Sequence, residues 1–219
     1  MALYIETITF TASNKPFMSL PVFSIQYIGN IELYYWIQQF PEIKIEAAEH
    51  YIKQTFRNRT NILSANGILP LIIPVIHKSS KEKIIEKEIC YKEKWYKKHF
   101  TAVVSAYKKA PYYEHYADDL LELLKHPQDR YLFDYTIKWI RKICSLLDIS
   151  TKILYTDQYE KYYEKDFRTY FDQPHQIPHH LLTPYIQVFS DRFAFHPNLS
   201  VLDLIFNLGP DAKHYIKAD

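Results

Sequence analysis

Glycine is nearly missing from this chain: three residues in 219, where about 7% is ordinary. So few glycines leave no phosphate-cradling loop. Neither G-x-G-x-x-G nor G-x-x-x-x-G-K-[ST] occurs, which disfavours the usual dinucleotide and P-loop modes of binding. Cysteine is almost as scarce. Cys90 and Cys144 stand alone, each beside an isoleucine. Two isolated thiols make no disulfide framework and suit small core positions in a reducing compartment. Long hydrophobic runs are lacking too. The longest near-apolar stretch, 68–76, holds two prolines and is far too short to span a bilayer. The N-terminus has no basic segment followed by an apolar run. The expectation is a cytoplasmic protein with no membrane partner. Charge of one sign is lacking as well, with 27 Lys and Arg against 25 acids. No global positive field argues for nucleic acid.

What is present is aromatic: 20 tyrosines and 16% aromatics overall. The length and composition suit a globular chain that buries a core without metals or disulfides. Residues 1–20 read as an N-terminal extension with a strand at Tyr4–Phe10, and 21–219 as a single domain. Pro21–Gln26 reads as a first core strand, and Gly29-Asn30 opens a helix from Ile31 to Phe40. A strand at Ile43–Ala47 leads into a helix or irregular arm, Ala48–Arg57. Asn61–Ser64 and Ile68–Ile76 flank Ala65-Asn66-Gly67, a strong hairpin signal. Pro70 and Pro74 place the second strand at an edge or bulge. Ile84–Cys90 alternates as a further strand.

From Lys94 the period changes. Trp95, His99, Val103 and Tyr107 repeat every four residues, which marks one helix face. Tyr112–Leu124 and Arg130–Leu147 predict two more helices. Lys152–Thr156 and Tyr185–Phe189 read as strands, with a loop over Asp172–Pro184. A helix pair closes the chain, capped by Ser200 with Asp203 at the third helical position. The fold class is α/β: a mixed sheet with an Asn-Gly β-hairpin, packed by a helical middle and C-terminal section.

Four constellations carry chemistry. Lys53, Asn58 and Arg59 concentrate donors just before the hairpin, suiting a phosphate or carboxylate. Against that, charge clusters are usually solvated. Residues 91–99 interleave lysines with aromatics, as single-strand binders do. An amphipathic helix with a wet lysine side explains them better, so nucleic acid is not an expected partner. His175, His179 and His180 flank Pro178, which prevents a shared helical turn. No Cys or nearby Glu completes a ligand set, so neither metal nor other cofactor is expected. Ser200 and Asp203 read as a helix start, with no nucleophile motif around them.

Several segments together resemble the WbqC-like family of bacterial proteins. They are Lys53-x4-Asn58-Arg59, Ile73-Pro74-Val75, Trp95-x3-His99 and Tyr107-x2-Ala110-Pro111-Tyr112-x2-His115-Tyr116. The stretch Tyr185-x-Gln187-Val188-Phe189 to Gly209-Pro210 resembles one branch of the family. Around the first strand the chain departs from the family pattern, lacking a second proline after Pro21. The resemblance implies a role in surface-polysaccharide, O-antigen-like biosynthesis, with glycine-type acyl or aminoacyl transfer or amide formation on a sugar precursor. The alternative is a non-catalytic binder of an anionic ligand such as a nucleotide-sugar, a tRNA or a partner protein. On the enzyme reading His99 and Asp203 are the acid–base candidates. Lys53, Asn58, Arg59, Tyr107 and Tyr112 hold or line a small anionic or sugar substrate.

Overall fold

A computed structural model of the chain describes residues 19–79 and 81–217. The expected strand at Tyr4–Phe10 lies outside the described residues. Strand β1 is only Val22–Phe23, followed by helix α1, Ile31–Gln38, and strand β2, Glu42–Ile45. Asn30 starts α1 because its side-chain oxygen accepts the Leu33 amide at 2.9 Å, satisfying a donor the first turn leaves free. An irregular arm from Glu46 ends in a 3-10 turn, Phe56–Asn58, and delivers β3, Arg59–Ser64. Strand β4, Gly67–Ile72, pairs antiparallel with β3 from Arg59↔Ile72 to Ser64↔Gly67. The positive φ of the connection falls on Gly67 and not on Asn66, the arrangement of a turn followed by a glycine bulge.

The alternation at 84–90 does not make a strand. Ile84–Glu86 is a 3-10 turn, and 88–89 forms only isolated bridges to Val75 and Tyr131. Alternate burial here comes from a segment laid across several neighbours. Helix α2 spans Trp95–Tyr107, α3 Tyr113–Lys125 and α4 Leu132–Leu146. On α2, Trp95, His99, Val103 and Tyr107 are buried while Lys94, Lys97 and Lys98 are exposed, as the four-residue spacing predicts. Strand β5 is Lys152–Tyr155 and β6 is Asp166–Phe167. Strand β6 has no pattern of its own, being two residues in a polar and aromatic stretch. Nor is Tyr185–Phe189 a strand: its polar Gln187 is spent on Asp203 and His196 instead of a ladder. Helix α5, Val201–Leu208, is capped by Ser200, and α6 is Ala212–Tyr215.

The four short strands form one parallel sheet in the order β5-β2-β1-β6, and β3-β4 form a separate ribbon. The class is α/β. Registers Phe23↔Ile45, Ile45↔Tyr155 and Phe23↔Phe167 end all four strands level with one another. Beside this sheet lies a core rich in rings, including Tyr27, Tyr34, Tyr107, Tyr135 and Trp139. Much of the tyrosine content is therefore structural.

Candidate functional site at the carboxyl edge of the parallel sheet

Because the strands end in register, the next residue of each forms a row: Thr156, Glu46, Ser24 and Arg168. All four are buried. A polar row at the end of an apolar sheet must satisfy itself, and it does. The Thr156 hydroxyl donates to Glu46 at 2.5 Å. Arg168 donates to the other Glu46 oxygen at 3.3 Å and to Asp166 at 2.5 Å. Hydrogen bonding to Asp166 raises the Arg168 pKa, so the charge is permanent. The guanidinium carbon also lies 4.9 Å from the Tyr159 ring centre and 4.6 Å from that of Tyr163. Arg168 further donates to the backbone carbonyl of Glu160 at 2.8 Å. One arginine thus fastens the loop 157–165 to the end of β6.

The neighbouring arm is fastened the same way. Arg57 is fully buried. It donates through Nε and Nη2 to the two Glu49 oxygens, both at 2.8 Å, and through Nη1 to Asp172 at 2.8 Å. Burial opposes the Arg57 charge, but the Glu49 and Asp172 carboxylates outweigh it and hold the guanidinium above its ordinary value. Burial raises Glu49 above its ordinary value despite Arg57.

Between arm and loop is a crevice of about 440 Å³, lined by Ala48, Glu49, His50, Ile52, Lys83, Asp157, Gln158 and Tyr159. That volume suits a small molecule. Its place follows a general rule of open parallel sheets, in which ligands sit outside the carboxyl ends of the strands. Here β2 and β5 lie on one flank of β1 and β6 on the other. The exposed His50, Lys83, Asp157, Gln158 and Tyr159 supply a base, a cation, a carboxylate, an amide and an aromatic face.

A second polar knot lies where α1 begins. Glu32 is buried and accepts from Asn198 at 2.9 Å and Tyr170 at 3.1 Å. His175 places Nε2 2.8 Å from Glu32 and Nδ1 2.8 Å from the Gln173 carbonyl. Both ring nitrogens face acceptors, and only the doubly protonated ring can donate to both at once. Burial pulls the His175 pKa down, but the Glu32 bond and the Gln173 carbonyl outweigh it, and the net shift is upward. With the folded value above the unfolded value of about 6.5, the stabilisation is full below that pH. It is lost as pH rises through the folded value. The wild-type melting temperature should therefore decline on the alkaline side of about 6.5, with less decline in His175→Ala. Superimposable melting profiles against pH for the two proteins would contradict this.

The residues singled out in the sequence fall in several places. His99 is buried against Tyr27, whose hydroxyl lies 3.0 Å from Nδ1, and burial lowers its pKa to about 4. It is neutral at physiological pH. Asp203 is buried and accepts from the Tyr185 hydroxyl at 2.7 Å and Gln187 at 2.8 Å. Burial raises its pKa, with Tyr185, Gln187 and Tyr107 opposing. Tyr107 is fully buried and faces Asp203. His99 and Tyr107 are eight residues apart on α2, about 12 Å along the axis. His99 packs at the Tyr27 end of α2, and Asp203 meets the helix about two turns away at Tyr107. Tyr112 packs its ring on Gly209, where an added Cβ would overlap it. Asn58 donates its amide to the Ile73 carbonyl at 2.8 Å and clasps the end of β4. Lys53 is exposed. Arg59 is half-buried.

None of these seven lines the crevice. The lining residues come from three separated segments, 48–52, Lys83 and 157–159. The one local signal was a polar pair, Thr156-Asp157, directly after an apolar strand pattern. Among the described residues, no group of three or more His, Cys, Asp or Glu is placed to hold a metal ion. No helix among them is long and apolar enough to cross a membrane.

A short parallel sheet with a crevice at its carboxyl edge places the chain in the α/β class. Comparison with known proteins gives the family: a match to the WbqC-like family covers residues 26–171, and the chain belongs to it. That span includes β2 to β6 but not β1, and every residue of the crevice lining. A relative is the "Uncharacterized protein Rv1507c" of Mycobacterium tuberculosis, 24% identical over 193 residues, covering 76% of this chain and 84% of the relative. No solved structure matches the chain.

Proposed function

We propose that the chain is a transferase of the acyl or aminoacyl type that acts on a sugar precursor of a bacterial surface polysaccharide, with the carboxyl-edge crevice as its site. The observation that supports this reading is the crevice lining. Tyr159 has one face backed by the Arg168 guanidinium and is an aromatic wall suited to the apolar face of a pyranose. Asp157 and Gln158 suit its hydroxyls. His50 is the group that takes the proton shed by an amine as it attacks an acyl carbonyl. Lys83 offsets the negative charge that develops on the carbonyl oxygen; as the bond to nitrogen forms, the bond from the acyl carbon to its carrier breaks, and the carrier leaves with the proton that His50 took up.

A non-catalytic sugar-binding role is the second reading. It is favoured by the engagement of the two buried edge carboxylates, Glu46 by Arg168 and Glu49 by Arg57, which takes both out of acid–base work. Mass spectrometry of small molecules retained by the native protein separates these readings. A sugar-bearing species should be retained by the wild type and lost in Tyr159→Ala. In His50→Ala it should be retained but no longer converted. Both side chains are exposed; His50→Ala should change folding stability by no more than about 0.5 kcal/mol, and Tyr159→Ala, which loses the Arg168 contact, by about 0.5–1 kcal/mol. Retention of the same species by Tyr159→Ala would remove the crevice from consideration. Unchanged conversion by His50→Ala would leave only the binding role.

A further inference from the structure

Six arginines lie among the described residues, and five have a side-chain partner. Arg57 meets Glu49 and Asp172, Arg130 meets Glu88, and Arg168 meets Asp166 and Glu46. Arg192 meets Asp191, and Arg141 donates to the Tyr155 hydroxyl. Arg59 alone has neither a hydrogen bond nor an ion pair, although it is half-buried and its Nε is enclosed without an acceptor. Its two terminal nitrogens are not among the enclosed, unpartnered atoms. An ordinary surface arginine keeps all five N–H groups in water. Here one is withdrawn from water without an acceptor, and the rest of the fork has no protein partner among the described residues.

The surroundings hold that fork in place. Arg59 opens β3 opposite Ile72, and the adjacent Asn58 amide clasps the Ile73 carbonyl, so the backbone beneath it is fixed. Tyr51 of the arm is close enough for the Arg59 charge to act on its hydroxyl, opposing the rise that burial causes. Lys87 lies over the Tyr51 ring, with its ammonium 5.0 Å from the centre. Lys87 is itself matched by Glu82 at 2.7 Å. That pair cancels, and Glu82 lies beyond ion-pair distance of Arg59. One positive charge remains uncompensated beside an aromatic hydroxyl.

We propose that Arg59 anchors an oxyanion site. The two Nη groups take a pair of oxygens end-on from a phosphate ester or a carboxylate, which planar guanidinium geometry matches. The site stands on its own residues: Arg59 does not line the crevice, and the inference does not depend on the transferase reading.

Titration with inorganic phosphate, and separately with acetate, tests it at constant ionic strength. The arginine side-chain N–H resonances are followed by NMR, and Arg59→Lys assigns the Arg59 signal by its disappearance. A saturable shift confined to that signal is expected. Thermal melts should show a phosphate-dependent rise in the wild type. In Arg59→Lys the apparent affinity should fall roughly tenfold, as a two-pronged contact becomes a point charge. Tighter phosphate binding identifies a phosphate ester as the natural group, and tighter acetate binding a carboxylate. A non-saturating shift, or an equal rise in melting temperature in Arg59→Lys, means an adventitious ion only and overturns the site. No partner of Arg59 is lost on substitution, so the variant should fold. His50→Ala should leave the phosphate response intact, so that a failure of the crevice reading and a failure of this one are read separately.

Discussion

Arg57→Ala is expected to destabilise the protein by roughly 3–5 kcal/mol, the cost of breaking a buried ion pair by removing one partner. The guanidinium is fully buried and joins Glu49, Asp172 and the Arg168 carbonyl. It thereby binds the arm to the segment after β6. Its removal leaves the buried Glu49 carboxylate without a counter-charge. A chain of this size should lose roughly 6–20 °C of melting temperature. The pH dependence gives a second readout. Glu49 already sits above its ordinary carboxyl value because burial outweighs Arg57. Without Arg57 the same burial acts unopposed by that partner, and the folded-state pKa rises further. A raised carboxyl favours the folded state only when protonated, so the defect should shrink as pH falls through the folded value. Urea unfolding of wild type and variant across the acidic range checks both. A defect below about 1 kcal/mol would show that the network contributes little net stability, as some buried ion pairs do.

Trp95→Ala should also cost roughly 3–5 kcal/mol, for a different reason. Trp95 is 3% exposed. It packs edge-on against Tyr27, His99 and Tyr135, with ring centres 6.5, 5.1 and 5.6 Å away. Deleting it opens a cavity among groups that also hold the His99–Tyr27 contact. The indole N–H has no acceptor, which offsets part of the burial and points to the lower end of the range. Trp95→Phe keeps an aromatic ring and removes the unsatisfied donor, so it should cost less than half as much. Unfolding midpoints measure both. A near-zero shift for Trp95→Ala would contradict the packing described.

Sequence showed most clearly what is local. Helix α2 was legible to the residue because its buried face repeats every four positions, and α4 because Phe133, Ile137 and Ile140 do much the same. The core strand before α1 and those at 43 and 152 were visible as short apolar runs. Their order was not, since pairing of β5 with β2 joins segments about 110 residues apart and leaves no pattern in either. Strand β6 was invisible for want of length. The crevice inherits both difficulties. His50, Lys83 and Tyr159 are unremarkable surface residues until β2 and β5 stand side by side. Arg57 and Arg59 stand two positions apart, and the sequence reading placed only Arg59 in a site. The 3-10 turn that ends at Asn58 sends Arg57 inward to Glu49 and leaves Arg59 at the start of the ribbon, and nothing in their spacing shows which would be which.

The level ends of the parallel strands have a consequence for how the chain comes to be made. Strands β1 and β2 are both complete by residue 45, but the other neighbour of β1 is not synthesised until residue 167. At about 5–20 residues per second, the open side of β1 waits roughly 6–25 s on the ribosome before its partner exists. Pairing across such separations is slow in any case, because loop closure must precede the contacts that reward it. Only two residues of β1 are left waiting, and so short an exposed edge offers little to a neighbouring nascent chain. The brevity of the strands, which hid them in the sequence, limits the hazard of their late assembly.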